Sequence, residues 1–323
     1  MSNIILPTIL QGPAYVVHGG VTTFLQAGAE VALNRNTWNP ESALGAIGER
    51  LKSNSATLSA TPVGMLTKAN CDYYYANHIS PSTKVGKSLL LSALVIVDMG
   101  ASKSYTYAKG ALTKAPNLHL GPGKTAFGSM EFVGIGDPAV QPLTAAQLKI
   151  SETVVGSLDT GFEESSIVTD IYKAALGADS TPFNGMGSMD GFDIDFPMTI
   201  RNIEAGDVGI ADIVLAGLGI GVSFAPSNLT EANVDTLLRI DGTEALLPGQ
   251  EIARGLVASA GTPKDLVVTG TQSAATFTAK VVGCKDAGYT YQIGVHRHKG
   301  LKFVNSRRWA TGAETALFAH SLA

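Results

Sequence analysis

Two widely separated stretches of this sequence carry the same ordered set of local signals. The first is Leu58-Ser-Ala-Thr-Pro62-Val-Gly-Met-Leu66-Thr67-Lys-Ala69-Asn70, and the second is Val222-Ser-Phe-Ala-Pro226-Ser-Asn-Leu229-Thr230-Glu-Ala232-Asn233. The offset is 226 − 62 = 164 at the prolines and 229 − 66 = 163 at the leucines. Upstream, Gly45 falls on Gly209 at 164. Downstream, Leu94-Val95-Ile96 falls on Leu266-Val267-Val268 and Tyr105-Thr106 on Phe277-Thr278, both at 172. Glu131-Phe132-Val133 then falls on Lys302-Phe303-Val304 at 171. Each half reads strand, proline turn, threonine-capped helix and three more strands. An ordered series with slowly drifting offsets marks a duplicated unit. Two copies of one β-rich fold are therefore expected, residues 1–150 and 151–323. The proline has a physical role in both: it fixes φ, cannot donate to a ladder, and so ends the strand.

The strands are expected at Ala56–Ala60, Leu90–Val97, Ile213–Ala225, Asp265–Thr269 and Ala274–Val282. All are rich in β-branched, aliphatic and aromatic residues, and turn residues bound them. Helix signals are few. Thr67–Ala76 and Thr230–Arg239 each open on a threonine able to cap the first turn. Glu163–Leu176 places Ile167, Ile171 and Ala175 at helical spacing behind an acidic first turn. Gly177–Gly191, rich in glycine with one proline, predicts an interface-forming loop. Residues 163–191 thus stand as an insertion in the second copy.

Charged residues make up 15% of the 323, against about 25% in ordinary domains. With 45% hydrophobic residues this excludes intrinsic disorder. Sparse charge on a large apolar chain points to surface hidden against other chains. The net charge of −4 offers no basic face, so a protein that grips nucleic acid through its phosphates is disfavoured. Cys71 and Cys284 lie far apart without metal-ligand spacing, and are expected to be small buried apolar residues. The N-terminal stretch lacks a positive n-region and reads as no signal peptide. No window reaches the roughly 18 apolar residues of a membrane helix. A soluble chain made in a reducing compartment is expected, with no membrane partner.

Several short motifs invite a chemical reading. Gly121-Pro-Gly-Lys124-Thr125 resembles the end of a phosphate-binding loop, but Leu118 stands where the motif needs its first glycine, and a β-turn is expected. His296-Arg297-His298 would put two imidazoles on one face of a strand, without a third ligand at a telling distance. Asp190, Asp193 and Asp195 lack the calcium-loop pattern and read as a solvated strand edge. His18-Gly19-Gly20 resembles an oxyanion-hole loop without its nucleophile elbow. Arg307-Arg308-Trp309 is the one dense basic and aromatic spot, expected in a C-terminal interface strand. Nothing assembles a nucleophile, a base and an orienting group, so no enzyme is expected. No catalytic, cofactor-binding or metal residue is assigned, and no cofactor is expected.

The stretch from Gly19-Gly-Val-Thr-Thr-Phe24 to Thr37-Trp38, followed by Gly45-Ala-Ile-Gly-Glu49-Arg50 and Leu58-Ser-Ala-Thr-Pro62, resembles the N-terminal region of bacteriophage major tail (tail tube) proteins. Phe224-Ala-Pro226 through Ala232, Leu246-Leu-Pro-Gly-Gln250, Ala275-Thr-Phe-Thr-Ala-Lys280 and Asn305-Ser-Arg-Arg-Trp309 resemble the same group. The insertion at 163–191 has no place in the resemblance.

What the resemblance implies is a mainly β chain of two tandem β-sandwich or barrel-like tail-tube folds, each with a flanking helix. Such chains close into rings through an inner β-barrel, and rings stack into a long, non-contractile tail tube. The implied partners are further copies of the chain, the tape measure protein, the tail terminator and distal tail proteins. Phage DNA would pass through the lumen without specific binding. The implied location is the virion tail, assembled in the cytoplasm of a bacterial host. A ring six folds around needs three chains of two folds, 6 / 2 = 3, so a homotrimer with pseudo-sixfold symmetry is expected over a hexamer. Segments 29–38 with 51–60, and 193–201 with 213–225, are the expected lumen strands. Two alternatives stay open: a capsid-decorating or adhesion module, and a β-sandwich hydrolase or lectin-like enzyme.

Overall fold

The computed structural model describes residues 14–136, 151–154, 172–176, 184–227, 264–305 and 318–322. Excepted are 27, 39–40, 43–44, 47–49, 64–67, 77–85, 101–102, 122–123, 206–208, 273–274 and 293–296. The described chain is mainly β, in several antiparallel sheets. The first half holds β1 (Ala14–His18), β2 (Val21–Leu25), β3 (Glu30–Trp38), β4 (Glu41–Ser42), β5 (Gly45–Ala46) and β6 (Arg50–Ala60). A short helix α1 (Lys68–Cys71) continues as a π-helical turn over Asp72–Ala76. Then come β7 (Leu94–Asp98), β8 (Lys103–Tyr107), β9 (Lys109–Lys114), β10 (Leu118–Gly121), β11 (Lys124–Phe127), β12 (Met130–Ile135) and β13 (Ser151–Val154). The second half holds β14 (Tyr172–Leu176), β15 (Asn184–Asp195), β16 (Met198–Ala205), β17 (Gly209–Leu218), β18 (Gly221–Pro226), β19 (Lys264–Gln272), β20 (Ala275–Gln292), β21 (Arg297–Asn305) and β22 (Phe318–Leu322).

In the second half, β15, β14, β19, β20, β21 and β18 pair in that order, and β18 pairs back onto β15, closing a circuit. The same sequence of pairings runs through the first half as β2, β1, β7 and β8, then β9, β12, β6 and β3, with only Ala108 between β8 and β9. Registers agree as well. Val31 lies opposite Leu58, and Leu58 opposite Phe132. Ile194 lies opposite Val222, and Val222 opposite Phe303. Leu25 bridges Pro62, and Val63 N donates to Phe24 O at 2.9 Å. Ser188 meets Pro226, and Ser227 N donates to Gly187 O at 2.9 Å. β13 lines β8, with Glu152 opposite Tyr105, and β22 lines β20, with Leu322 opposite Phe277.

Three expectations need correction. The helix expected over Glu163–Leu176 does not form at its C-terminal end: Tyr172–Leu176 is strand β14, while 163–171 lie outside the described residues. Tyr172, Ala174 and Leu176 are buried and Lys173 is exposed, a period of two that β15 and β19 fix from both sides. The loop expected over Gly177–Gly191 gives way to strand β15 from Asn184 onward, its glycines absorbed at irregular points of the ladder. The single strand over Ile213–Ala225 breaks into β17 and β18 around Gly219-Ile220.

The Thr67–Ala76 helix forms over Lys68–Ala76, and it is buried rather than laid on a face. Tyr73, Tyr74 and Tyr75 are each buried. Consecutive residues of a helical turn point in different directions, so burying three in a row needs neighbours on most sides. Tyr73 meets His18, Tyr74 donates to Thr23 Oγ1 at 2.8 Å, and Tyr75 stacks on Phe196 with centroids 4.7 Å apart. The helix therefore ties the two halves into one apolar core. Its counterpart expected at Thr230–Arg239 lies outside the described residues.

Candidate assembly surface

The hairpin β10–β11 leaves the first half between β9 and β12 and joins the second half. β10 pairs with β15, placing Leu118 opposite Ile194, His119 opposite Asp193 and Leu120 opposite Phe192. Alternation sorts the residues: Leu118, Leu120, Phe192 and Ile194 are buried, and the polar pair faces out. His119 Nδ1 lies 2.6 Å from Asp193 Oδ1. Beside it Asn117 Nδ2 donates to Asp195 Oδ1 at 2.7 Å, and Phe196 N donates to Asn117 Oδ1 at 3.2 Å. Burial above all, and then the Asp193 carboxylate, hold the Asp195 carboxyl above its ordinary range, with Lys302 opposing.

Gly191 makes this approach possible. A Cβ there would lie 2.8 Å from both Leu120 O and Gly121 Cα, and its φ of +96° suits glycine alone. Next to the junction an open groove of about 890 Å³ runs between the halves, with Lys114, Glu131, Asp195, Met198 and Lys302 among its walls.

Among the described residues, two of the strands that pair on one side only carry an exposed large apolar residue. Among the described residues β3 pairs with β6 alone and β16 with β17 alone. Each carries an exposed large apolar residue, Val31 at 45% and Ile203 at 46%. An open edge bearing apolar side chains is a template for another strand. No residue pattern announced these edges; the repeat pointed only to equivalent strands.

The motifs singled out above disperse. His18 ends β1 at a tight turn through Gly19 and Gly20 (φ +62° and +80°), buried at 1% against Tyr73. Burial lowers its pKa, with a backbone contact to Gly110 opposing. It is a core histidine, remote in character from an oxyanion loop. Gly121 pairs with Lys124 across the β10–β11 turn. Asp193 and Asp195 lie on one face of β15 beside the junction, and Asp190 is exposed on the same strand. Cys71 is buried, and burial pushes its thiol up to about 12, which makes it unreactive. Arg297 and His298 fall in β21 and Cys284 in β20. His296 and Arg307-Arg308-Trp309 lie outside the described residues.

The class defined is a mainly β protein of antiparallel sheets, whose described surface offers strand edges. No protein-family model matches the chain, and no curated protein matches it.

Proposed function

We propose that this chain is a structural subunit of a phage tail tube, which closes into rings that stack as the conduit for genome delivery. The observation that carries the reading is the recurrence of one strand circuit in the two halves, with matching registers at β6, β12 and β3 against β18, β21 and β15. On this reading the chain is two tandem copies of one tail-tube fold, and the boundary expected at 150/151 moves past β13, whose pairing with β8 assigns Ser151–Val154 to the first copy. Closing a ring removes edges that would otherwise aggregate. The hairpins β3–β6 and β16–β17 face the lumen, in keeping with the expected pairs 29–38 with 51–60 and 193–201 with 213–225.

Three chains, each of two folds, complete one ring. Its contacts are heterologous and close when successive chains turn by 120°. Copies of the chain, the tape measure protein, the terminator and distal tail proteins are its partners in the virion tail. DNA slides past a lumen without a strongly basic character, because dense phosphate pairing would hold it.

Negative-stain imaging with native mass measurement of the purified protein tests this. Rings or tubes of three 33.5 kDa chains per ring are expected. Six chains per ring would refute the trimer. Dispersed monomers would refute the tube and favour a decorating or adhesion module, or an enzyme if activity accompanied them.

A further inference from the structure

The contact between halves is a template for a contact between chains. Hairpin β10–β11 covers the edge of β15 at Phe192–Ile194. By register Ile194 corresponds to Val31, since they lie opposite Val222 and Leu58: the offsets are 194 − 31 = 163 and 222 − 58 = 164. Asp193 corresponds to Glu30 and Gly191 to Gly28 at the same 163 offset, and the two glycines share φ of +96° and +93°. Yet the surroundings differ. A Cβ on Gly191 would strike β10, and one on Gly28 would meet nothing within 4 Å. Ile194 is buried and Val31 is exposed. Among the described residues the first half therefore keeps the strand-docking edge without the strand.

The counterpart of β10–β11 is the distal part of the β20–β21 hairpin. Lys114 lies opposite Glu131 and Gly288 opposite Lys302, at offsets 288 − 114 = 174 and 302 − 131 = 171. Beyond that point the first half makes β10–β11, and the second extends β20 to Gln292 and starts β21 at Arg297. The outgoing strand reads Tyr289-Thr-Tyr-Gln292, suited to pairing. The returning strand opens Arg297-His298-Lys299. Glu30, exposed, stands where Asp193 meets His119, so the open edge carries the charge that such a hairpin complements.

We propose that the distal β20–β21 hairpin of one chain adds as a strand to the open β3 edge at Glu30–Val31 of a second copy. This rests on the ring reading and identifies the contact that joins one chain to the next.

Two differently tagged chains, one carrying Val31→Cys and the other Gln292→Cys, are mixed, oxidised and resolved without reductant, with wild type as background. These positions correspond to the Ile194 and Leu118 pair of the inner junction. A mixed-tag cross-linked dimer within rings is expected, and such a dimer without rings would support the docking while refuting the ring. Rings whose cross-linking stays at background would overturn the docking and leave the tube standing. So would rings in which Val31→Cys is captured by Thr8→Cys of its own chain, which would make residues 1–13 the occupant. Neither rings nor cross-links would overturn both. Independently, Glu30→Lys should raise the concentration needed for assembly ~fivefold. Assembly of Glu30→Lys at the wild-type concentration would overturn the pairing.

Discussion

Replacing Tyr75 tests whether the buried helix joins the halves. The side chain is 1% exposed. Its ring stacks on Phe196 at 4.7 Å and 28° and meets Phe318 at 5.3 Å, both from the second half. Its hydroxyl donates to Pro116 O at 3.1 Å. Truncating a buried aromatic to alanine costs about 3–5 kcal/mol through lost burial and the cavity left behind. The lost hydrogen bond adds about 1 kcal/mol. Tyr75→Ala is therefore expected to lose about 4–6 kcal/mol and Tyr75→Phe about 1 kcal/mol. The assay is urea denaturation read by near- and far-ultraviolet dichroism. A double cycle with Phe318→Ala should show coupling of about 1 kcal/mol, since the rings share one contact. Strict additivity, or a Tyr75→Ala loss below about 1 kcal/mol, would refute the idea that the helix is a shared core element.

Gly191→Val should detach β10 from β15, raising amide exchange across β10 while β9 stays protected; unchanged exchange would refute the close approach. Gly20→Ala, with φ +80° and open space around its Cβ, should cost only about 1–2 kcal/mol of backbone strain and leave β10 intact. Stability should fall as pH drops below 6.5, because the unfolded His18 imidazole takes a proton that burial denies the folded one. That single proton contributes a slope of up to about 1.4 kcal/mol per pH unit. Urea midpoints across pH 5–8 for wild type and His18→Gln measure it, and equal slopes in the two would refute the assignment.

Short-range signals were legible where one residue type has one physical use. Pro62 and Pro226 end their strands because neither can donate to a ladder. The signals failed where neighbours outvoted them. Tyr172–Leu176 has residues compatible with a helix, yet β15 and β19 pair on both of its sides. Gly185 and Gly191 read as loop glycines, but one bends β15 and the other admits β10. The β10–β11 contact was invisible because no local pattern states that a hairpin pairs with a strand some 70 residues onward. Counting would have found a trace of it: the residues between Lys114 and Glu131 exceed those between Gly288 and Lys302.

The two halves differ least where the chain bends and most where it is covered. The ladder of β15 shifts between Ser188 and Phe192, and at the 163 offset β2 ends at Leu25 and β3 begins at Glu30. One bend, carried by Gly191 in one half and Gly28 in the other, serves both. A bend present in both halves is explained, on the proposed docking, if it sets the angle at which a strand is received. In one half that strand comes from the same chain, so Ile194 and Asp193 have their partners from the moment of folding. In the other, Val31 and Glu30 wait in solvent. On the proposed docking, filling one site internally and leaving its twin open would give each chain one outgoing hairpin and one incoming edge, the minimum for a ring that closes head to tail. Filling both internally would give a monomer. Opening both would double the contacts left to diffusion, each carrying its own entropic cost of association.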